Sequence, residues 1–426
     1  MPTGRAPCIW YDLEAKKDMP GRVLYIQHAG SLGGSATSLR FLVESMQSLG
    51  IDCTIALARP CRELVDFYNA AGIATIPIPE ICCWDHSTVA PRSLANPRHV
   101  LDLCSVAKRW RASERATLQL VDRLKPDLVH LNSMPLSSSA RALTREGVPF
   151  VWHVREPPPD QGVRTKMIRS LMTATPHCVF ITEYDRRAWI GEAPARIVYN
   201  AVPDAWFGRS LPAATSADDG GLVRFAYVGG LSIAKGVEVL LQSLRILNRR
   251  ATGWECVMPA CLVDPHYARK DRLLKRAARA LGIKGAGDRL LPQFQSLAPA
   301  VQLRTFNTDI PALFQSVDFI VFPAVAPHFP RPVIEAAALG RPSIGTDVGG
   351  VNECIVHRET GLLCPPGDAE SLASAIEELI ADRALARRLG EAAHARAVAV
   401  HTLSAQRRLI ADVYGDVLAS RSGVRR

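Results

Sequence analysis

The chain has 426 residues, of which 48% are hydrophobic, and 51 Lys and Arg against 41 Asp and Glu give it a formal net charge of +10. This length predicts two or three domains with their own cores, and the composition excludes a disordered or collagen-like chain. The basic charge is compatible with nucleic acid, an anionic membrane or a phosphorylated substrate. No apolar run approaches the ~20 residues that span a bilayer, and the N-terminus lacks the apolar stretch of a secretory signal, so we expect a cytoplasmic protein.

The first half alternates short β-branched runs with helical patterns. The run RVLYIQH from Arg22 predicts a strand, the loop AGSLGGSATS follows, and the helical stretch SLRFLVESMQSLG ends at Gly50. Further predicted strands are CTIALA, ATIPIP, KPDLVHLN, PFVWHV and CVFIT. This rhythm is typical of βα units and predicts an α/β, doubly wound parallel sheet.

The rhythm is lost around Pro203–Leu222, which is rich in small and turn-forming residues, and then restarts with VRFAYVG. A second α/β domain is therefore predicted, which includes the basic helical segment KDRLLKRAARALG, and the tail from Asp368 is predicted to be helical through Leu403–Ala419. The predicted organisation is a tail at 1–20, a first domain at 21–205, a linker at 206–222, a second domain at 223–400 and a final helix with its tail at 401–426.

The eleven cysteines are scattered and never form a Cys-x-x-Cys pair. Most stand beside Val, Ile or Leu, where a thiol behaves as a small buried hydrophobe. The sequence therefore predicts neither a metal site nor a redox motif.

Gly33 and Gly34 stand between the first predicted strand and helix. Glycine lets a backbone approach a phosphate or sugar closely, and the following helix N-terminus supplies unpaired N–H groups with a partial positive charge. The spacing is not Gly-x-Gly-x-x-Gly, so a nicotinamide-type site is not predicted. A plain tight turn is the alternative.

The second domain opens in a similar way with YVGGLSIAKGVEVLL, in which the pair Gly229 and Gly230 precedes Lys235 at a predicted helix start. A lysine in the loop after a first strand can pair with a phosphate as a point charge. The alternative is a solvated lysine at a helix N-terminus.

The stretch from Phe322 to Asp368 contains a carboxylate, Glu335, predicted to begin a helix after a proline-rich loop, followed by a strand and the pair Gly349 and Gly350. A carboxylate early in a helix at the carboxyl edge of a parallel sheet can hold ribose hydroxyls, although a capping role is the alternative. We interpret this stretch as a second anion site.

Taken in order, these phrases resemble the retaining glycosyltransferases of GT-B fold, specifically glycosyltransferase family 4. The resemblance runs from about Arg22 to Val413 and includes GGSATSLRFLVESMQSLG, VPFVWHVRE, YVGGLSIAKGVEVLLQSL, RPVIEAAALGRPSIGTDVGGVNECI and TGLLCPPGDAESLASAI. It implies two Rossmann-like domains that face a cleft, with the last helix crossing back to the first domain.

The resemblance also implies site residues. Lys235 would pair with the donor diphosphate, Glu335 would hold the ribose, and His153 would lie beside the transferred sugar as a catalytic residue together with Lys235. Asn200 matches an interdomain hinge position. The other implied donor-binding residues are glycines and one neighbour that lie near the diphosphate, namely Gly33, Gly34, Gly229, Gly230, Gly349, Gly350 and Val351.

Two positions depart from the family pattern. Pro327 stands eight positions before Glu335, where the family usually has a glutamate, and Gly230 stands where it often has an arginine. These replacements put the contact to the sugar and one phosphate cation in doubt. We expect Arg331, four residues before Glu335, to supply the compensating charge.

The function that the resemblance implies is retaining, metal-independent transfer of a hexosyl-type sugar from a nucleoside diphosphate to an acceptor hydroxyl in envelope or exopolysaccharide synthesis. The nucleotide sugar is a substrate, and no cofactor and no metal are expected. The alternatives are a degenerate sugar-nucleotide-binding protein that does not catalyse and a GT-B sugar-nucleotide epimerase. A nucleic-acid partner is not predicted, because Lys and Arg are dispersed and no aromatics interleave with them.

Two basic helical segments of the first domain, Lys108–Arg115 and Val163–Met172, mix cations with apolar residues. Such segments either pack on their own core or rest on an anionic membrane that presents a lipid-linked acceptor. The acceptor that the resemblance implies is a saccharide or a lipid-linked saccharide, and peripheral contact with the inner face of the membrane stays open as the alternative to packing on the core.

Overall fold

The structure is a computed structural model that describes residues 19–83, 97–159, 162–175, 177–208, 221–262, 286–305 and 309–423. The described part of the first half forms a parallel sheet of seven strands in the order β3-β2-β1-β4-β5-β6-β7. These strands are β1 (Arg22–Gln27), β2 (Asp52–Leu57), β3 (Ala74–Pro77), β4 (Leu128–Asn132), β5 (Phe150–Val154), β6 (Cys178–Phe180) and β7 (Arg196–Ile197).

Helices cover both faces of this sheet, because its central strands are apolar on both sides. Val23 and Tyr25 of β1 belong to one buried cluster, and Leu24 and Ile26 belong to the other. This is the doubly wound arrangement that the sequence predicts. The helices are α1 (Gly34–Gln47), α2 (Arg62–Asn69), α3 (Pro97–Leu124), α4 (Ser137–Arg145), α5 (Val163–Ala174), α6 (Glu183–Ile190) and the short α7 (Asp204–Phe207).

The described part of the second half forms a six-stranded parallel sheet in the order β10-β9-β8-β11-β12-β13. Its strands are β8 (Val223–Ala226), β9 (Trp254–Leu262), β10 (Val301–Thr305), β11 (Phe319–Phe322), β12 (Ser343–Thr346) and β13 (Gly361–Cys364). Its helices are α8 (Val237–Arg250), α9 (Ala286–Gln295), α10 (Ile310–Gln315), α11 (Arg331–Ala338), α12 (Val351–Cys354), α13 (Ala369–Ala381) and α14 (Arg383–Val400). The predicted basic helix KDRLLKRAARALG and most of the predicted linker, 209–220, lie outside the described residues.

The last helix, α15 (Leu403–Gly423), returns to the first domain. Its residues Ile410, Val413, Tyr414 and Val417 are at most 3% exposed and belong to the same buried cluster as Val23 of β1. The GT-B architecture and its crossing helix are therefore confirmed. Among the described helices, none is long and apolar enough to cross a bilayer.

The order of the strands reverses between β1 and β4 in the first sheet, and between β8 and β11 in the second. Loops that leave the carboxyl ends of parallel strands at such a reversal form a crevice in which ligands bind. The two crevices face each other, because a side chain that follows β11 contacts the helix that follows β1. The candidate site lies between them.

Candidate functional site

The glycine loop of the first domain leads directly into the cleft. Gly33 is the N-cap of α1, and this helix has neither a side-chain cap nor an acidic residue in its first turn. A Cβ built on Gly34 would lie 3.4 Å from Cδ of Arg331, which belongs to the other domain. The structure therefore brings this loop and Arg331 together, and the N–H groups at the start of α1 add positive potential there.

Arg331 and Glu335 form a buried ion pair within α11. Nε and Nη2 of Arg331 donate to Oε1 of Glu335 at 3.0 and 2.7 Å, and Nη1 donates to Oγ of Ser38 at 2.8 Å. The guanidinium also stacks 5.3 Å from the ring of Phe41. Burial raises the pKa of Glu335, whereas Arg331 opposes that shift. Arg331 thus links α11 to α1 across the cleft.

The prediction that Glu335 begins its helix is wrong, because α11 begins at Arg331. Pro332 follows, and proline is favoured in the first turn, where its missing N–H has no intrahelical partner. Glu335 is therefore one turn further in, where its carboxylate meets Arg331 four residues before it.

Lys235 lies in the loop between β8 and α8, directly before Gly236, the N-cap of α8. Burial lowers the pKa of its ammonium group. No carboxylate forms an ion pair with it within the described part of the chain. The loop after β11 contains His328. Burial, and secondly the charge of Lys235, lower the pKa of His328 to about 4, and this effect indicates that the ammonium of Lys235 lies near that loop. An ammonium without a counter-ion favours a bound anion.

Glycines shape the loop around Lys235. Gly230 and Gly236 have φ of 60° and 77°, in the left-handed region that glycine adopts without strain. A Cβ on Gly236 would collide with the carbonyl of Pro323, and one on Gly229 would collide with the ring of Tyr227. These glycines let the loop fold closely against its own domain.

Gly349 and Gly350 precede α12, which begins at the buried Val351. The carbonyl of Gly349 accepts from the N–H of His328 at 3.0 Å, and Gly350 has φ of 86°. A Cβ on Gly349 would collide with the ring of Tyr184, which lies on α6 of the first domain. The second glycine pair therefore also lies at the contact between the domains.

Glu353 of α12 reinforces that contact. Its two carboxylate oxygens accept from the N–H groups of Glu183 and Tyr184 at 2.8 Å each, and from the hydroxyl of Tyr199 at 3.0 Å. A carboxylate of the second domain thus satisfies the free N–H groups at the start of α6. The hinge residue Asn200 lies nearby in sequence, and its carbonyl faces Nδ1 of His401 at 3.0 Å.

His153, at the end of β5, is completely buried. Its Nδ1 lies 3.2 Å from Nε2 of His130, whose Nδ1 lies 2.8 Å from the hydroxyl of Tyr414 on α15. Burial, followed by the charges of Arg155 and His130, lowers the pKa of His153 well below its ordinary value. The structure therefore places a neutral imidazole behind the wall of the cleft rather than on its surface.

Sequence reasoning missed Arg155 and Asn132, which complete the cluster at the carboxyl ends of β5 and β4. Nε of Arg155 donates to Oδ1 of Asn132 at 2.5 Å, and its Nη1 donates to Oδ1 of Asn200 at 2.6 Å. The signal was present in HVRE and LVHLN, since each phrase places a polar residue directly after an apolar strand. Within the described ranges, no three His, Cys, Asp or Glu side chains converge as a metal site.

Two family descriptions match the chain. Residues 33–198 match "Glycosyl transferase 4-like domain", and residues 223–382 match "Glycosyl transferases group 1". The chain belongs to the group 1 glycosyltransferases. Glycogen synthase of Mycobacterium tuberculosis is 30% identical over 182 residues, which are 41% of this chain and 38% of that protein.

A second relative of this group 1 glycosyltransferase is α-D-kanosaminyltransferase of Streptomyces kanamyceticus. The two are 28% identical over 192 residues, which are 45% of each chain. The chain thus aligns with less than half the length of these curated relatives.

Solved structures share its fold over almost the whole chain. Anabaena Alr3699/HepE, crystallised with UDP and glucose, has a TM-score of 0.66 at 17% identity and covers 92% of this chain and 98% of its own. Sucrose-phosphate synthase of Thermosynechococcus elongatus has a TM-score of 0.66 at 18% identity, with coverage of 94% and 99%. At such identities the likeness shows the GT-B fold alone.

Proposed function

We propose that this group 1 glycosyltransferase moves a sugar from a nucleoside diphosphate to an acceptor hydroxyl in the synthesis of a polysaccharide or a related glycan. The observation that carries the proposal is the half-buried Lys235, which forms no ion pair in the described part of the chain and lies in the loop after β8, where the strand order of the second sheet reverses. Breaking the glycosidic bond leaves a negatively charged diphosphate. Cations and N–H donors that are already in place stabilise that charge.

Names of similar proteins support this substrate class. Anabaena Alr3699/HepE was crystallised with UDP-glucose. CapM of Staphylococcus aureus, a capsular polysaccharide biosynthesis glycosyltransferase, is 27% identical over 164 residues. The acceptor that we propose is accordingly a saccharide or a lipid-linked saccharide.

The donor residues take roles that follow their positions. Lys235 pairs with the diphosphate, and backbone groups at the two glycine pairs of the second domain approach it closely. Glu335 binds the ribose hydroxyls through Oε2, because Arg331 already occupies Oε1. Arg331 contributes positive potential at the diphosphate. It thereby compensates for the arginine that the family often has at the position of Gly230. The positive φ of Gly230 would strain an arginine at that position.

We propose a supporting role for His153. Direct contact with the transferred sugar would require its neighbours to move, because the side chain is completely buried. Its Nδ1 lies 3.4 Å from Nη2 of Arg155, which is only partly buried. His153 therefore acts on the site through the guanidinium of Arg155.

The proposed chemistry is retaining and needs no metal. The acceptor hydroxyl attacks on the face that the diphosphate leaves, and a departing phosphate oxygen accepts the proton. Lys235 and the N–H groups at the start of α1 stabilise the leaving group. An NMR assay in EDTA that follows the anomeric configuration of the product would test both features.

The first experiment is a thermal-shift screen with UDP-, GDP- and ADP-sugars. We expect one nucleotide family to raise the melting temperature, because a ligand that binds only the folded state must stabilise it. Lys235→Met and Glu335→Gln should each reduce the shift at a fixed ligand concentration. Lys166→Met is the control and should not reduce it, because Lys166 is an exposed residue of α5 outside the proposed donor site. No shift with any nucleotide would contradict the proposal.

A degenerate protein that binds donors without transfer is the second candidate, favoured by Pro327 in place of the family glutamate. It predicts the same thermal shifts but neither hydrolysis nor transfer. Donor turnover by the wild type that disappears in Lys235→Met would exclude it. The epimerase alternative predicts a change of the donor sugar instead.

Peripheral contact with a membrane is proposed through α5. Val163 and Met167, four residues apart on this helix, are 75% and 59% exposed, and Lys166 lies beside them. Apolar side chains flanked by cations can insert at an anionic surface. We expect the wild type to float with phosphatidylglycerol vesicles and the variant Val163→Asp/Met167→Asp to remain in the dense fraction. Equal flotation of both proteins would contradict this contact.

A further inference from the structure

Arg155 lies at the carboxyl edge of the first sheet, next to the point where the strand order reverses. It follows β5, and its Nε and Nη1 donate to the side-chain oxygens of Asn132 and Asn200 at 2.5 and 2.6 Å. Both acceptors are neutral amides, so they orient the guanidinium without neutralising it.

The third contact of the guanidinium is also uncharged. Nη2 lies 3.4 Å from Nδ1 of His153, which is itself held by His130 and, through it, by Tyr414 of α15. An arginine side chain carries five N–H groups; the two amide oxygens engage two of them, and Nδ1 of His153 lies near a third. Two N–H groups of Arg155 therefore have no acceptor among the described residues.

The charge of Arg155 has no counter-ion in direct contact within the described part of the chain. The neighbouring carboxylate of Glu156 is occupied by other donors, namely the hydroxyl of Ser133, the N–H of Met134 at 3.3 Å and the N–H of Arg155 itself at 3.2 Å. Burial, and to a lesser extent the charge of Arg331, lower the pKa of Arg155 to about 10, with Glu156 opposing the shift. The guanidinium is still charged at neutral pH.

Other positive groups surround the same point. Asn132, which orients Arg155, also donates to Oγ of Ser35 at 3.3 Å in the first turn of α1. One turn later Ser38 accepts from Arg331. Two guanidiniums and an uncapped helix N-terminus thus adjoin two carboxylates. Glu335 is paired with Arg331, and Glu156 accepts from backbone N–H groups, so neither forms an ion pair with Arg155, and its charge and the helix N-terminus remain to favour an anion.

We propose that Arg155 binds a phosphate group of a substrate, with its two remaining N–H groups directed at the phosphate oxygens. This inference rests on the proposed function and deepens it, because it adds a cationic side chain from the first domain to a site whose other cationic side chains, Lys235 and Arg331, come from the second. The planar fork of an arginine fits two phosphate oxygens at once. The phosphate belongs either to the donor diphosphate or to a phosphorylated acceptor.

Titration calorimetry tests the inference with UDP, GDP, ADP, pyrophosphate and glucose 6-phosphate, the last also in the presence of the preferred nucleotide. Arg155→Met removes the charge at similar length, and Arg155→Lys keeps the charge but not the fork. Arg40→Met is the matched control, because Arg40 lies on α1 and is paired with Glu44 at 2.8 Å.

If the phosphate is that of the donor, Arg155→Met should weaken binding of pyrophosphate and of the preferred nucleotide by about 10- to 100-fold, the size of a lost hydrogen-bonded charge contact. If it is that of an acceptor, nucleotide binding should be retained and glucose 6-phosphate binding lost. Arg155→Lys should lie between the wild type and Arg155→Met, and Arg40→Met should match the wild type.

Each failure has its own signature. Wild-type affinities in both Arg155 variants would overturn this inference and leave the proposed function intact. A wild type that binds no nucleotide, but binds pyrophosphate or glucose 6-phosphate in a manner that depends on Arg155, would overturn the proposed function and leave this inference standing. If no probe binds the wild type, both are overturned.

Discussion

Protonation of the buried histidines should lower the free energy of unfolding more than protonation of exposed ones. Burial is the main cause that lowers the pKa of His130 to about 3 and that of His401 to about 4. The first faces the hydroxyl of Tyr414, and the second faces the carbonyl of Asn200. In both cases a neutral ring joins the carboxyl-terminal helices to the first domain.

The sign of the pH dependence follows from these shifts. A histidine whose pKa is lowered on folding binds fewer protons in the native state than in the unfolded state, so the free energy of unfolding falls as the pH drops below about 6.5. Two carboxyl groups with raised pKa oppose this. Among the described residues, five histidines have a lowered pKa, namely His130, His153, His177, His328 and His401, and the two opposing carboxyl groups are Asp185 and Glu335.

Histidines with a lowered pKa outnumber carboxyl groups with a raised pKa, so we expect the free energy of unfolding to slope downward from pH 6 to pH 5. Urea unfolding at several pH values measures this slope. In His130→Gln the slope should decrease by about 1.4 kcal/mol per pH unit, whatever the loss of stability at neutral pH. A stability that is independent of pH in this range would show that these rings are not held neutral.

At the scale of elements, α15 offers a direct measure of how much the first domain depends on it. Ile410 is completely buried in the first-domain cluster, whereas its neighbour Leu409 is 38% exposed. Removing three methyl-type carbons from a buried position leaves a cavity and costs about 2–4 kcal/mol, and the same change at an exposed position costs much less.

We therefore expect Ile410→Ala to lower the free energy of unfolding by about 2–4 kcal/mol and Leu409→Ala to lower it by less than about 1 kcal/mol. The two variants alter adjacent residues of one helix and have similar helix propensity, so the difference between them isolates packing on the first domain. Chemical denaturation followed by a first-domain tryptophan signal provides the measurement. Equal losses would mean that α15 docks only weakly.

At the scale of the whole molecule, the two-sheet architecture could be predicted because it depends on local patterns. A run of apolar residues followed by small residues predicts strand β1 and the loop before α1. The start of α11 was misplaced by one turn, because only the Arg331–Glu335 pair and the contact with Ser38 distinguish a helical Arg331 from a loop residue.

The burial of His153 could not be read from the sequence either. Whether a histidine at the end of a strand faces a cleft or a core is decided by what packs on it, and here that is His130 and, through it, Tyr414, which is 284 residues away from His130. Arg155 was missed for the same reason: its importance depends on the neutral character of Asn132 and Asn200, which become its neighbours only in the folded chain.

The packing of α15 on the first domain also determines when that domain can finish folding during translation. During synthesis the ribosome releases the first-domain strands long before Ile410 to Val417 emerge, so the cluster around Val23 has one apolar side open while the second domain is being translated. The nascent first domain should therefore be a target for chaperones until those late residues close it. Its folding is completed only after translation has passed through the second domain.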